Sequence, residues 1–255
     1  MKCVSLTTDF GQVDWFVGVM KGVILGRVPE AQIVDLNHGV PSGDVRAGAF
    51  SLLSGYRHFP KQTVHVAVVD PGVGSDRTAI AVDTRDYFFV GPDNGVLSWA
   101  LRQEEIRAVH RLENVDYFRE PVSRTFHGRD IFAPVAAELA NGVSIAHLGP
   151  AGESWEKLKW PDAANESDRV VGEIVYVDRF GNCITNIPGA DKKTGARLEI
   201  PGEVQIDLMD CYADADEHQA LAVAGSSGFV ELAINGGSAQ EQLGLTTGAK
   251  VVLRT

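Results

Sequence analysis

Asp70 and Arg77 bracket the segment DPGVGSDR, which follows the apolar run Val64–Val69 without a break. Strand ends in α/β proteins are where side chains and bare backbone face a ligand. Pro71 fixes its own φ, while Gly72 and Gly74 tolerate backbone angles and close approach that other residues resist. Such a loop can hold a carboxylate and a guanidinium at one spot, or it can be a surface turn with a solvated ion pair. Four more polar clusters carry chemistry. Thr7-Thr8-Asp9-Phe10-Gly11 with Asp14 ends the first apolar run. A carboxylate there can accept paired hydrogen bonds from a ribose diol, or it can cap the helix that follows. Thr125–Asp130 sets His127 beside the Phe126 ring and just before a helix. An imidazole titrating near neutrality can serve as general acid or base or orient water; it can also be structural. Asp178-Arg179-Phe180-Gly181-Asn182 offers an acid for an ammonium group and an amide for a purine edge, or a plain hairpin turn. Ser226-Ser227-Gly228-Phe229 with Asn235-Gly236-Gly237 can bind a carboxylate or a base edge, or form ordinary loops.

Those residues need elements to position them. Cys3–Thr8, Gln32–Leu36 and Thr63–Val69 read as strands, the second of them short and buried. Helical spacing of apolar residues marks Trp15–Gly26 and Asp44–Tyr56 between them. The alternation predicts a mostly parallel sheet flanked by helices. Strands near Thr78–Asp83 and Tyr87–Val90, the turn Gly91–Gly95, and helices at Val96–Leu101 and Arg129–Ala140 complete this half. From Val170 onward the chain is short apolar runs split by Gly, Pro, Asn and Asp, which predicts a smaller all-β, barrel-like domain. The division expected is an α/β domain over 1–150, a linker over 151–168 and the β domain over 169–255.

Composition bounds the function. Hydrophobic content of 44% and charged content of 22% suit a globular protein with a real core. A formal net charge of −11 argues against nucleic acid or an anionic membrane as partner. Three cysteines without C-x-x-C spacing point to buried reduced thiols, and no apolar run reaches the ~18 residues of a membrane helix. The N-terminus has no signal-peptide pattern, so a cytoplasmic location is expected. Walker, G-x-G-x-x-G, H-E-x-x-H and G-x-S-x-G patterns are all missing, and nothing calls for a metal or redox cofactor.

Taken in order, TTDFG…D at Thr7–Asp14, VVDPGVGSDR at Val68–Arg77, GPDNG at Gly91–Gly95, TFHGRD at Thr125–Asp130, DRFGN…TN at Asp178–Asn186 and SSG…N at Ser226–Asn235 resemble one family over essentially the whole chain. It is the S-adenosyl-L-methionine (SAM) hydroxide adenosyltransferases, adenosine-forming SAM hydrolases related to the fluorinase and chlorinase. The resemblance implies an α/β domain, a barrel-like domain and a homotrimer with SAM between one subunit's N-domain and the next subunit's C-domain. It implies SAM and water as reactants, adenosine and L-methionine as products, and no cofactor. The family's Asp–Arg–His set falls on Asp70, Arg77 and His127. Its ribose acid falls on Asp9, its amino-acid acid on Asp178, its adenine reader on Asn182. Ser226 matches the serine near the methionine portion and Phe126 the aromatic beside the nucleophile. Asp14 and Asn235 complete the expected binding set. Whether Arg77 holds hydroxide or His127 relays a proton from water stays open. A SAM-dependent halogenase and a non-catalytic SAM- or adenosine-binding module are the alternatives. The fluorinase resembles this chain less at two points: an aromatic residue replaces Asp70, and its halide-holding serine falls on Gly128. Gly43 stands where relatives commonly carry an aromatic ring.

Overall fold

The computed structural model describes residues 2–189 and 195–254. Contacts divide the chain into two compact units, Met1–Lys159 and Trp160–Thr255.

The first unit is built on six strands: β1 (Cys3–Thr8), β2 (Gln32–Asn37), β3 (Val64–Val68), β4 (Ala79–Thr84), β5 (Phe88–Pro92) and β6 (Ile106–Arg111). Their order is β2-β1-β3-β5-β4-β6. The pairs β1–β2, β1–β3 and β3–β5 are parallel, and β4 runs antiparallel to both neighbours. The sheet is therefore mostly parallel with helices on its faces, as the alternation predicts. Helices α1 (Phe16–Arg27) and α2 (Val45–Gly55) connect β1 to β2 and β2 to β3, and α3 (Ser98–Leu101) and α4 (Ala133–Ala140) follow. Met20 and Ile24 of α1 and Val135, Ala136 and Leu139 of α4 share one core with alternate residues of β1 and β3: Val4, Leu6, Val66 and Val68. This is the period-2 logic of a strand meeting a helical stripe.

Two expectations need correction. β2 is not buried: it is the edge strand, one flank is unpaired, and Val34 is 42% exposed. β6 has no counterpart in the sequence reading, because its alternation (Arg107, His110 and Arg111 among Ile106, Ala108 and Val109) is mostly polar.

The second unit contains β7 (Ala164–Asn165), β8 (Arg169–Val177), β9 (Cys183–Pro188), β10 (Arg197–Ile200), β11 (Val204–Met209), β12 (Ala220–Ala224), β13 (Phe229–Ile234), a short helix α5 (Ala239–Leu243) and β14 (Lys250–Arg254). The order β14-β10-β11-β12-β13-β9-β8 closes through β14–β8 pairing into a seven-stranded barrel, and β7 adds to the outside of β8. Closure removes unpaired edges. Ile174, Ile187, Leu198, Leu208, Leu232 and Leu253 fill the interior.

The stretch 151–168 contributes to each unit. Leu158 donates its N–H to Ser98 Oγ (2.9 Å) and accepts from the Trp99 indole (3.2 Å) in the first. Ala164–Asn165 is a strand of the second. Among the described residues no helix is long and apolar enough to cross a membrane. The three cysteines are unpaired. Cys3 and Cys183 are buried, but Cys211 is exposed, because it opens a turn at Tyr212–Asp214 rather than sitting in a strand.

Candidate functional site

β1 connects leftward to β2 and β3 lies on its other side, so the carboxyl ends of β1 and β3 flank the point where strand order reverses. Asp9 leaves the end of β1 and Asp70 the end of β3. Both line a cavity of about 330 Å³ together with His127, Phe126 and Gly128. Asp9 Oδ2 accepts the N–H of Gly43 (2.8 Å). Gly43 has φ +72°, which favours glycine, although a Cβ there would make only an ordinary contact, 3.7 Å from Pro71 Cβ. The Asp9 loop is tied a second time through His38. The His38 carbonyl accepts from Gly11 N (2.8 Å), and its Nδ1 lies 2.8 Å from Thr8 Oγ1, which in turn accepts from Phe10 N (3.2 Å). Asp14 is exposed and does not line the cavity; nor does it cap α1, whose N-cap position is Trp15 without a side-chain bond.

The Asp70 loop is held at both ends. Asn94, in the turn Gly91–Gly95, donates to the Val69 carbonyl (2.8 Å). Gly74 has φ +78°, and a Cβ there would lie 2.2 Å from the Arg124 carbonyl. Only glycine permits that approach, which sets this loop against the one carrying His127. Gly72 needs no such freedom: its Cβ would make ordinary contacts near 3.4 Å.

Arg77 joins the loops chemically. Its Nε donates to Asp70 Oδ1 (2.9 Å) and Oδ2 (3.0 Å), Nη2 donates to Asp70 Oδ2, and Nη2 also donates to His127 Nδ1 (2.8 Å). The Asp70 and Arg77 side chains are 5% and 11% exposed. Arg77 does not itself line the cavity; its guanidinium stacks over Phe132 at 5.4 Å. Arginine has no acceptor, so His127 Nδ1 must offer a lone pair and the ring proton sits on Nε2. Burial lowers the His127 pKa, and the Arg77 charge lowers it further. His127 is thus neutral at neutral pH.

His127 precedes a single π turn, Gly128–Phe132, not the first turn of a regular α-helix as the spacing predicts. The reason is Pro134, second residue of α4. It has no N–H for the Asp130 carbonyl, which instead accepts from Arg119 N (2.8 Å), while Ala133 N reaches back to Gly128 O. The fully buried Asp130 side chain accepts from Arg129 Nε (2.6 Å) and Nη2 (2.7 Å) and from Ser123 N (2.9 Å). Burial alone would raise its pKa; these bonds, led by Arg129, bring it below the ordinary value. Asp130 and Asn94 are positioning residues that the sequence reading left without a role. Phe10 and Phe16 were also missed; with Phe126 they form a three-ring wall, centroids 5.1–5.8 Å apart. A Cβ at Gly128 would come within 3.2–3.3 Å of Met20, Phe126 and Phe10, so a serine there would be crowded.

The second unit has its own pocket, about 630 Å³, lined by Asp178, Asn182, Ser226 and Asn235 together with Tyr212 and Glu231. The turn between β8 and β9 is built by Asp178: its Oδ1 accepts from Phe180 N and Asn182 N (2.9 Å each), and Oδ2 accepts from Asn182 Nδ2 (3.1 Å). Gly181 takes φ +80° inside it. Hairpin and pocket wall are thus the same residues. Asn235 Nδ2 donates to the Ala215 carbonyl (2.9 Å), pinning the segment after Tyr212. Asn186 is structural, since its Oδ1 accepts from Glu173 N (2.8 Å).

These features define an α/β-plus-barrel protein with a small-molecule pocket in each unit, the first holding Asp, Arg and His in one hydrogen-bonded set. The model of the SAM hydroxide adenosyltransferase N-terminal domain matches residues 4–149, and that of the C-terminal domain matches residues 172–252. The chain belongs to this family. It is 40% identical to an (R)-S-adenosyl-L-methionine hydrolase of Salinispora tropica over 97% of this chain and 96% of that one. A fluorinase of Nocardia brasiliensis is more distant, 25% identical over 98% and 96%. Among solved structures, an uncharacterised conserved protein from Thermotoga maritima superimposes with a TM-score of 0.92 at 36% identity, covering 99% and 100%.

Proposed function

We propose that this protein hydrolyses S-adenosyl-L-methionine to adenosine and L-methionine. The observation that carries the reading is the Asp70–Arg77–His127 set at the cavity, in a chain 40% identical along its length to a protein named for that hydrolysis. The sulfonium activates C5′ and departs as a neutral thioether, so the leaving group needs neither acid nor cofactor. The protein must supply a desolvated, aligned water. As water attacks, the C5′–O bond forms, the C5′–S pair returns to sulfur, and one water proton must leave. His127 presents Nε2–H and acts as a donor to the attacking oxygen. Asp70, which lines the cavity, takes the proton. Arg77 fixes both and balances the charge. Asp9 holds the ribose hydroxyls, and the barrel pocket reads adenine through Asn182 and receives the amino-acid end at Asp178 and Ser226.

Each pocket alone offers only part of the partners that a zwitterionic nucleoside requires, which supports the homotrimer with shared sites that the family resemblance implies. Three unpaired cysteines suit a reducing, cytoplasmic compartment. The decisive experiment incubates the purified protein with SAM in ¹⁸O-water, with and without chloride or fluoride. Adenosine labelled at the 5′ oxygen, plus methionine, supports hydrolysis. A 5′-halo nucleoside would overturn it in favour of halogenation, and tight binding without turnover in favour of a binding module. Light scattering tests the trimer. Mixed Asp9→Ala and Asp178→Asn subunits that regain a class of sites with the wild-type KM and kcat would support sites shared between chains; confirmed hybrids showing only the two variants' own kinetics would refute them.

A further inference from the structure

The barrel pocket contains a second carboxylate that no motif pointed to. Glu231, on β13, is 6% exposed and lines the pocket that Asp178 lines. Its Oε1 accepts the Tyr212 hydroxyl. Among the described residues Oε2 accepts no hydrogen bond, and no lysine, arginine or histidine lines the pocket. The position of Oε2 is set by the backbone: a Cβ on Gly225 would lie 2.1 Å from it, so a glycine there leaves room for this rotamer. Burial raises the Glu231 pKa, and the Asp178 charge adds to the rise. A second unpaired group lines the same pocket: Ser227 Oγ is buried without a hydrogen-bond partner among the described residues.

Desolvating a carboxylate with one hydrogen bond, next to another carboxylate, is unfavourable unless a cation joins it. Asp178 keeps one acceptor position on Oδ2 beside the three donors of its own turn, so a second carboxylate is needed to match a group with three donors. Of the polar groups of SAM, the sulfonium has no N–H and the adenine amine is neutral. The α-ammonium brings both a charge and three donors.

We propose that Glu231 joins Asp178 in receiving the α-ammonium of the substrate's amino-acid end, with Tyr212 as the positioning residue that holds its carboxylate and the Ser227 hydroxyl donating to the neighbouring α-carboxylate. This rests on the SAM-hydrolysis reading and deepens it.

The test compares SAM with 5′-deoxy-5′-dimethylsulfonioadenosine, which keeps the nucleoside and sulfonium and lacks the amino acid. For full-length wild type and Glu231→Gln, KM and kcat are measured with SAM, and Ki with the truncated sulfonium as competitor. Glu231→Gln raises KM for SAM at least tenfold, changes kcat less than threefold and leaves Ki within twofold. Tyr212→Phe gives the same pattern, smaller; it also carries the test if Glu231→Gln does not fold, because Tyr212 is partly exposed. Equal weakening of both ligands, or no change in either, overturns the assignment while hydrolysis by the wild type stands. A wild type that leaves SAM intact overturns the hydrolysis reading itself.

Discussion

The two pockets differ in how their charges are matched. In the α/β unit Asp70, Arg77 and His127 form a closed set: the carboxylate faces a guanidinium, and the imidazole is kept neutral by burial and by that same cation. In the barrel, Asp178 and Glu231 line a pocket whose described lining residues include no lysine, arginine or histidine. A compensated set is preorganised and needs nothing from the ligand, which suits the chemical step. An uncompensated one gains most when a cation arrives, which suits binding. The comparison predicts that changes in the first pocket act on kcat and changes in the second on KM.

The largest expected effect comes from breaking the compensation. Arg77→Met strands a buried carboxylate, and removing one partner of such a pair costs about 3–5 kcal/mol. Denaturant unfolding should show that loss, with turnover below detection. A stable, active Arg77→Met would break the comparison outright. Asp70→Asn keeps the shape and removes the proton acceptor; kcat should fall about 10²–10⁴-fold with KM nearly unchanged, and should climb with pH as hydroxide replaces water. A flat pH response in that variant would move the proton to another group. Gly74→Ala pushes a methyl into the Arg124 carbonyl at a positive φ. Displacing the loop by a fraction of an ångström to an ångström costs roughly 10²-fold in kcat, and a crystal structure would show the Asp70–His127 geometry altered. Asp178→Asn retains the turn acceptor and removes the charge; a lost charge-assisted contact raises KM for SAM about 10–100-fold, with kcat steady. A fall in kcat as large as the rise in KM would erase the distinction between the pockets.

The smallest effect sharpens the comparison by separating fold from site. His65, outside both pockets, is buried on β3 beside the Ser5 hydroxyl, and burial pushes its pKa down to about 3. Its folded pKa lies below its unfolded value near 6.5, so its contribution is complete above pH 6.5 and declines as pH falls toward 3. The part carried by His65 should be about 2 kcal/mol of stability between pH 7 and pH 5. His65→Asn should flatten that slope in equilibrium unfolding. The His127 pKa is lowered too, so its protonation limb in kcat/KM lies below pH 6.5 and should survive in His65→Asn.

Much of this was legible from residue types and order. Apolar strands ending in Asp9 and Asp70 announced themselves, because a parallel sheet writes its strands as continuous apolar runs. The barrel strands were legible for the related reason that turn residues punctuate them. The edge exposure of β2 was not, since burial depends on which neighbour a strand lacks. Glu231 was invisible because an acid inside an apolar run, VELAI, reads as the solvent face of a strand; it does alternate away from the barrel core, and the turn carrying Tyr212 meets it there.

The sequence alone determined the two-part architecture and the cast of polar residues at strand ends, because hydrophobic period and turn chemistry are local. Only the tertiary structure decided their partners. Arg77 is committed to Asp70 and His127, Asp130 rather than a regular helix end supports the histidine loop, and Asp14 stands aside in solvent. Those outcomes depend on contacts between segments far apart in the chain, down to one glycine where two loops meet and one proline where a helix begins, and no local pattern encodes them.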